Sequence, residues 1–232
     1  MNKRLCAIEE LVSPGIGLID VGTDHGYLPI SLAKHGYPGT LIAADIGKGP
    51  LSAAQRSAEN EGLLQRIQFQ LCDGLDLCDP ETIDTIVIAG MGGDTICGIL
   101  DRAEWCMDKR FCLILQPMTR AEVLRYWLTN NEFVIDRERL VCDGGEIYSL
   151  LSARFGGKQK LRDAELYSGA FSQIRQEALW PDYSAALRKR MEKQILGLRQ
   201  SCREPGRLAL AEHVLIELRE EERTRANCTG DL

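Results

Sequence analysis

No run of about 18 apolar residues occurs in the chain, so it contains no candidate helix for crossing a membrane. Met1-Asn2-Lys3-Arg4-Leu5 leads into Glu9-Glu10 rather than into an apolar export segment, and a cytoplasmic protein is expected. The nine cysteines contain no Cys-x-x-Cys pair and the three histidines are scattered, so no metal site is expected. Free thiols in a reduced compartment ordinarily serve as small apolar fillers, and these are read that way. Internal repeats and low-complexity stretches are missing too, and nothing implies an oligomer. What is present is ordinary for a folded protein: 232 residues with 44% hydrophobic content, enough for one medium domain and a small appendage.

Charge divides the chain unevenly. Residues 1–155 carry 14 basic and 22 acidic side chains, whereas residues 156–232 carry 14 and 12. The first part alternates strands and helices. Residues 17–21 are a short apolar run of the buried-strand type, 40–44, 67–71 and 111–115 read as further strands, and 85–89, apolar after its first residue, reads as a central one, with helical stretches alternating between them. Pro50 opens one of those helices at its first turn, where proline is tolerated. Residues 133–142 and 146–154 then form two strand-like runs joined by Asp143-Gly144-Gly145, a hairpin signal. The expected fold is α/β: a Rossmann-like, mostly parallel sheet of the class I methyltransferase type, closed by an antiparallel last strand. Phe155-Gly156-Gly157-Lys158 marks a boundary between domains at 1–156 and 157–232. Beyond it, Leu187, Met191, Ile195 and Leu198 share one helix face, and Leu210, Val214 and Leu218 share another. Two long antiparallel helices, coiled-coil-like and broken at Arg203-Glu204-Pro205-Gly206, are expected after a shorter one at 164–177. Arg188, Lys189, Arg190, Lys193, Arg199, Arg203 and Arg207 make a basic stripe that reads either as a nucleic-acid grip or as a solvated helix face.

Ligands of such a sheet sit at the carboxyl ends of its strands, near the point where strand order reverses. The first of these loops, Asp20 to Pro29, places glycines where backbone can approach a ligand closely. Its Gly22-x-x-x-Gly26 is not the G-x-G-x-x-G of a dinucleotide site, and Asp24 would repel a pyrophosphate. A cationic methionyl group suits it better, its amine meeting Asp20 or Asp24. Asp45 after the second strand can accept both hydroxyls of a ribose, and Asp73 after the third can accept an adenine amino group. Taken singly, each of these acids reads equally well as a turn or helix cap; together they suit an adenosine lying across the strand ends. After the fourth strand, Gly90, Gly92 and Gly93 fall within four residues and leave room for a flat base or a sulfonium methyl. Gln116 after the fifth strand either meets a base edge or satisfies backbone groups. The ligand that fits is S-adenosyl-L-methionine.

At these loops the sequence resembles the bacterial tRNA (adenine(22)-N1)-methyltransferases. The matching segments are DVGTDHGYLP at 20–29, ADIGKGPL at 44–51, DGL at 73–75, IAGMGG at 88–93 and LQP at 115–117. The resemblance implies cofactor contacts from Asp20, Gly22, Thr23, Asp24 and His25 in the first loop and from Asp45 and Ile46 in the second. It implies further contacts from Asp73 and Gly74, then from Ala89, Gly90, Met91 and Gly92. Gly93, Gln116 and Pro117 fall on the substrate side. One position departs: Met118 stands where the family tends to carry Asn.

The implied reaction is attack by the N1 lone pair of an adenine on the sulfonium methyl. It leaves a cationic base, so positioning matters more than a general base, and a carboxylate can stabilise the developing charge. Asp24 and Asp94 are the candidates, with His25 and Tyr27 stacking on or contacting the base. N1 lies on the Watson–Crick edge, so an adenine in a tRNA stem must be freed or flipped out. Arg188, Lys189 and Arg190 of the helical domain would then grip the tRNA body through its phosphates. The alternatives are methylation of another RNA base or a small molecule, and a catalytically silent RNA-binding relative.

Overall fold

The computed structural model describes residues 2–201 and 204–229, with side chains of the last helix described up to Thr224. Two compact units make up the chain, Met1–Gln159 and Lys160–Leu232.

The first unit is built on a seven-stranded sheet ordered β3-β2-β1-β4-β5-β7-β6. Its strands are β1 (Gly17–Val21), β2 (Thr40–Asp45), β3 (Gln68–Leu71), β4 (Thr85–Gly92), β5 (Cys112–Thr119), β6 (Phe133–Asp143) and β7 (Glu146–Phe155). Every residue of β1 is buried, which is why its sequence is almost continuously apolar: a parallel strand covered on both faces has no solvent side. β1 to β5 pair in parallel, and β7 inserts antiparallel between β5 and β6, giving the closing hairpin expected from the sequence. Gly144 and Gly145 close that hairpin at φ +61° and +87°, the backbone that a two-residue turn of this hand requires. Helices α2 (Tyr27–Lys34), α3 (Lys48–Asn60), α4 (Gly93–Arg102) and α5 (Ala121–Asn130) connect the strands. Arg125 of α5 is fully buried, donating to Glu138 of β6 at 2.8 Å and to Ser149 of β7 at 3.2 Å, so it fastens the hairpin to the helix layer.

Strand order reverses between β1 and β4, and the carboxyl ends there define the crevice. β4 is longer than its apolar run suggests. It runs through the glycine segment to Gly92, with register shifts at Ala89/Met91 and Met91/Gly92 where Gly90 takes φ +79°. An element not expected from the sequence is α1 (Lys3–Glu9). Asn2 caps it by accepting from the Leu5 N–H at 3.0 Å, and Ile8 is buried in the core.

The second unit is helical: α6 (Asp163–Ser168), α7 (Phe171–Ile174), α8 (Trp180–Ser201) and α9 (Pro205–Thr229). The single short helix expected at 164–177 is divided by Gly169, whose φ of +97° no helix accommodates. Ion pairs Arg199–Glu212, Arg219–Glu192 and Arg188–Glu222 run in opposite directions along α8 and α9, so the two form an antiparallel hairpin. Leu187, Met191 and Ile195 are buried in it, as are Val214 and Leu218. Leu210 is not; the buried row of α9 begins at Ala211, one residue round the helix. Arg203 and Cys202 lie outside the described residues, as does the side chain of Cys228. Among the described residues no helix is long and apolar enough to cross a membrane.

Candidate active site at the switch point

A cavity of about 280 Å³ opens where β1 and β4 diverge. Asp20 closes its floor. The residue is 6% exposed, and its carboxylate accepts from the Thr23 hydroxyl at 2.7 Å. Burial pushes its carboxyl up to about 6, the neighbouring Asp45 charge adds to the rise, and the Thr23 hydrogen bond offsets part of it. The β1–α2 loop then turns through Gly22 at φ +75° and Asp24 at φ +49°. Gly22 is required there by its backbone: at that φ any side chain would be strained, whereas the Met91 methyl 2.4 Å from a Cβ is the end of a flexible side chain that can move aside. Asp24 and Tyr27 line the mouth, Ala89 and Gly90 the opposite wall. The space beyond Gly90 is open, so its missing side chain widens the cavity.

Beside the cavity, β2 and β3 end on a more open ledge. Asp45 accepts from the Gly47 N–H at 2.7 Å through one oxygen, and its other oxygen faces the Asp24 N–H at 3.4 Å, leaving acceptor capacity for a hydroxyl pair. Ile46, the residue after Asp45, is 71% exposed, and Leu71, opposite Asp45 on β3, is also exposed, so the ledge carries apolar side chains suited to a flat base. Asp73 is less free than its sequence position suggests, since it pairs with Arg102 at 2.9 Å beside Gly74.

The glycines of the fourth loop divide by role. Gly90 borders the cavity, whereas a Cβ on Gly92 would press on the Thr119 hydroxyl at 3.2 Å and one on Gly93 would strike the Arg120 carbonyl at 2.2 Å. Packing against the β5–α5 junction therefore accounts for the last two. Asp94, in the first turn of α4, pairs with Arg120 at 3.3 Å and does not line the cavity. His25 stacks on Tyr27 with ring centroids 5.3 Å apart, and its Nε2 lies 3.7 Å from Asp24. Gln116 is fully buried at the cavity wall. Its carbonyl accepts from the Gly90 N–H at 3.2 Å, and its amide donates to the Pro117 carbonyl at 3.0 Å, so it braces the glycine bulge.

A buried acid, bare backbone on both walls and an acidic ribose position fit an adenosyl sulfonium. Residues 1–151 match the family described as a methyltransferase domain. The tRNA (adenine(22)-N(1))-methyltransferase of Bacillus subtilis is 32% identical over 163 residues, covering 70% of this chain and 68% of that protein. The chain belongs to this methyltransferase family. The likeness extends to solved structures. The Streptococcus pneumoniae protein Sp1610 in complex with S-adenosyl-L-methionine is 31% identical, with a TM-score of 0.78 over 91% of this chain and 98% of that one. The B. subtilis m1A22 tRNA methyltransferase is 26% identical, with a TM-score of 0.79 over 93% and 98%.

Within this methyltransferase the sequence motifs omitted one wall of the site. Asn2, Arg4, Leu5 and Ile8 of the α1 segment line the same cavity as Asp20 and Gly90. The signal was present: a capping Asn at position 2 followed by apolar residues at 5 and 8 is a short amphipathic helix start. The methyltransferase's helical unit also modifies the basic stripe. Arg188, Arg199 and Arg207 are paired with Glu222, Glu212 and Glu204, whereas Lys189, Arg190 and Lys193 are exposed and in no ion pair among the described residues. The buried cysteines Cys78, Cys97 and Cys106 have thiols that burial pushes up to about 11, 11 and 12, which keeps them protonated and inert.

Proposed function

We propose that the protein methylates N1 of adenine 22 in tRNA, using S-adenosyl-L-methionine, in the cytoplasm. The observation that carries this reading is a cavity whose lining suits a methyl donor, in a chain 32% identical over 163 residues to the B. subtilis enzyme of that name. The free thiols among the described cysteines suit a reducing compartment.

The bound cofactor supplies an electrophilic methyl on a sulfonium. The chain's own residues do the rest. Asp20, ionised above about pH 6, and Asp24 receive the cofactor's ammonium group. Asp45 takes the ribose hydroxyls, while Asp73, shared with Arg102, borders the adenine ledge with Ile46 and Gly74. Thr23 orients Asp20. Gly22, Ala89 and Gly90 let backbone approach the methyl, with Met91 packed behind. Tyr27, half exposed and backed by His25, offers a stacking face for an adenine turned out of its stem. No proton need be removed from N1 before attack. Positioning and the field of Asp24 therefore carry the catalytic contribution, with Asp94 more distant and already neutralised by Arg120. Gln116 holds the acceptor wall in shape, next to Pro117. Lys189 and Arg190, with Arg188 as their inner neighbour, are assigned to tRNA phosphates.

The test is incubation with tritiated S-adenosyl-L-methionine and unmodified tRNA, followed by nucleoside analysis. The expected product is 1-methyladenosine, lost when position 22 is guanine. Label on another base, or none on tRNA, would overturn the assignment.

A further inference from the structure

The cavity contains two carboxylates and a single cationic side chain, Arg4 of α1. That guanidinium is held by three strands at once. Its Nη1 donates to Gln116 Oε1 at 2.9 Å and lies 3.0 Å from the Met118 sulfur, and its Nε faces Asp143 at 3.4 Å. Its plane rests over the Tyr148 ring, 5.0 Å from the centroid. An Arg fixed this way has lost its rotamer freedom before any ligand arrives, so little ordering is left to oppose a new bond. A guanidinium carries five N–H groups, and the contacts above engage Nε and Nη1 only, leaving the Nη2 pair for another acceptor.

The methionyl end of the cofactor is a zwitterion. Asp20 and Asp24 complement its ammonium group, and neither can serve its carboxylate. We propose that Arg4 is the carboxylate clamp, so that α1 completes the cofactor site from the N-terminal side and reads the presence of the amino-acid group. The inference rests on the cofactor reading above. The geometry favours the cofactor over an RNA phosphate because Arg4 lines the same cavity as buried Asp20, which suits the ammonium of the same amino-acid group. Charge-assisted hydrogen bonds in such a setting are worth about 10- to 100-fold in affinity.

The test is calorimetric, on the full chain, with S-adenosyl-L-methionine and its decarboxylated analogue. The two ligands differ only in the group that Arg4 would hold. Wild type should prefer the carboxylated ligand by about 10- to 100-fold, and Arg4→Gln should bind both ligands alike, at the wild-type affinity for the analogue. Equal binding of both ligands by wild type would overturn the clamp whether or not the variant folds. So would an Arg4→Gln protein that weakens toward both ligands but keeps its preference, the signature of a purely structural tie between α1 and β5. Retained preference with lost tRNA affinity would also overturn it, by assigning the cation to a phosphate. If wild type binds neither ligand, the cofactor reading itself fails, a result distinct from all of these.

Discussion

Replacing Asp20 by Asn should strengthen the empty protein while disabling it. Asp20 is 6% exposed, and burial raises its carboxyl from 3.8 to about 6. Each pH unit of that rise corresponds to about 1.4 kcal/mol, so holding the group ionised at neutral pH costs the fold about 3 kcal/mol. The sign follows from proton binding. Between pH 3.8 and about 6 the folded state holds the proton more tightly than the unfolded chain, so stability falls as pH rises through that window. Below it both states are protonated and the difference vanishes. The amide of Asn is neutral throughout but needs partners for its own N–H groups, which offsets part of the gain. A net increase of about 1–2 kcal/mol at pH 7.5 is expected, a melting temperature higher by about 2–8 °C. Urea unfolding of both proteins from pH 4 to pH 7.5 should show the gap widening by about 2.4 kcal/mol, a change independent of how the amide packs. S-adenosyl-L-methionine binding, measured in parallel, should weaken about 10- to 100-fold in the variant. In wild type it should decline as pH drops below about 6. A gap that stays constant with pH would refute the claim that burial strains this carboxylate; unchanged cofactor affinity would refute its assignment to the ammonium.

Three other perturbations address the rest of the site. Asp45→Ala should bring cofactor affinity below calorimetric detection, because the ribose loses its acceptor; retained affinity would move the ribose elsewhere. Gly93→Ala forces a methyl to within 2.2 Å of the Arg120 carbonyl, so the chain should lose about 2–3 kcal/mol in chemical denaturation. An unshifted midpoint would mean that α4 can move freely. Reversing Lys189, Arg190 and Lys193 to Glu should weaken tRNA binding and flatten its dependence on salt, the slope falling with each phosphate contact removed. A slope equal to wild type would assign those side chains to solvent alone.

The sheet was legible because parallel strands buried on both faces leave continuous apolar runs, as residues 17–21 and 85–89 do. The hairpin was legible because the turn that Gly144 and Gly145 make needs positive φ at both positions, which glycine adopts freely. Less visible were features that depend on distant partners. Arg125 looks like an ordinary helix-surface cation, and only the fold brings Glu138 and Ser149 to it. The three glycines of IAGMGG look alike in sequence yet answer to different neighbours, one to the cavity and two to the β5–α5 junction. Asp73 reads as a free acceptor until Arg102 arrives from α4. Arg4 escaped notice because its significance lies in Gln116, Asp143 and Tyr148, all more than a hundred residues away in the chain.

The glycine-rich segment of β4 stays within the ladder to its end, with Met91 opposite Pro117 and Gly92 opposite Thr119. It is thus a stretch of pleated framework and not a hinged flap. The cavity wall at Ala89 and Gly90 is held by that pairing, and swinging it aside would require unzipping β4 from β5. On the other side of the cavity, the side chains of Asp24, His25 and Tyr27 stand largely in solvent.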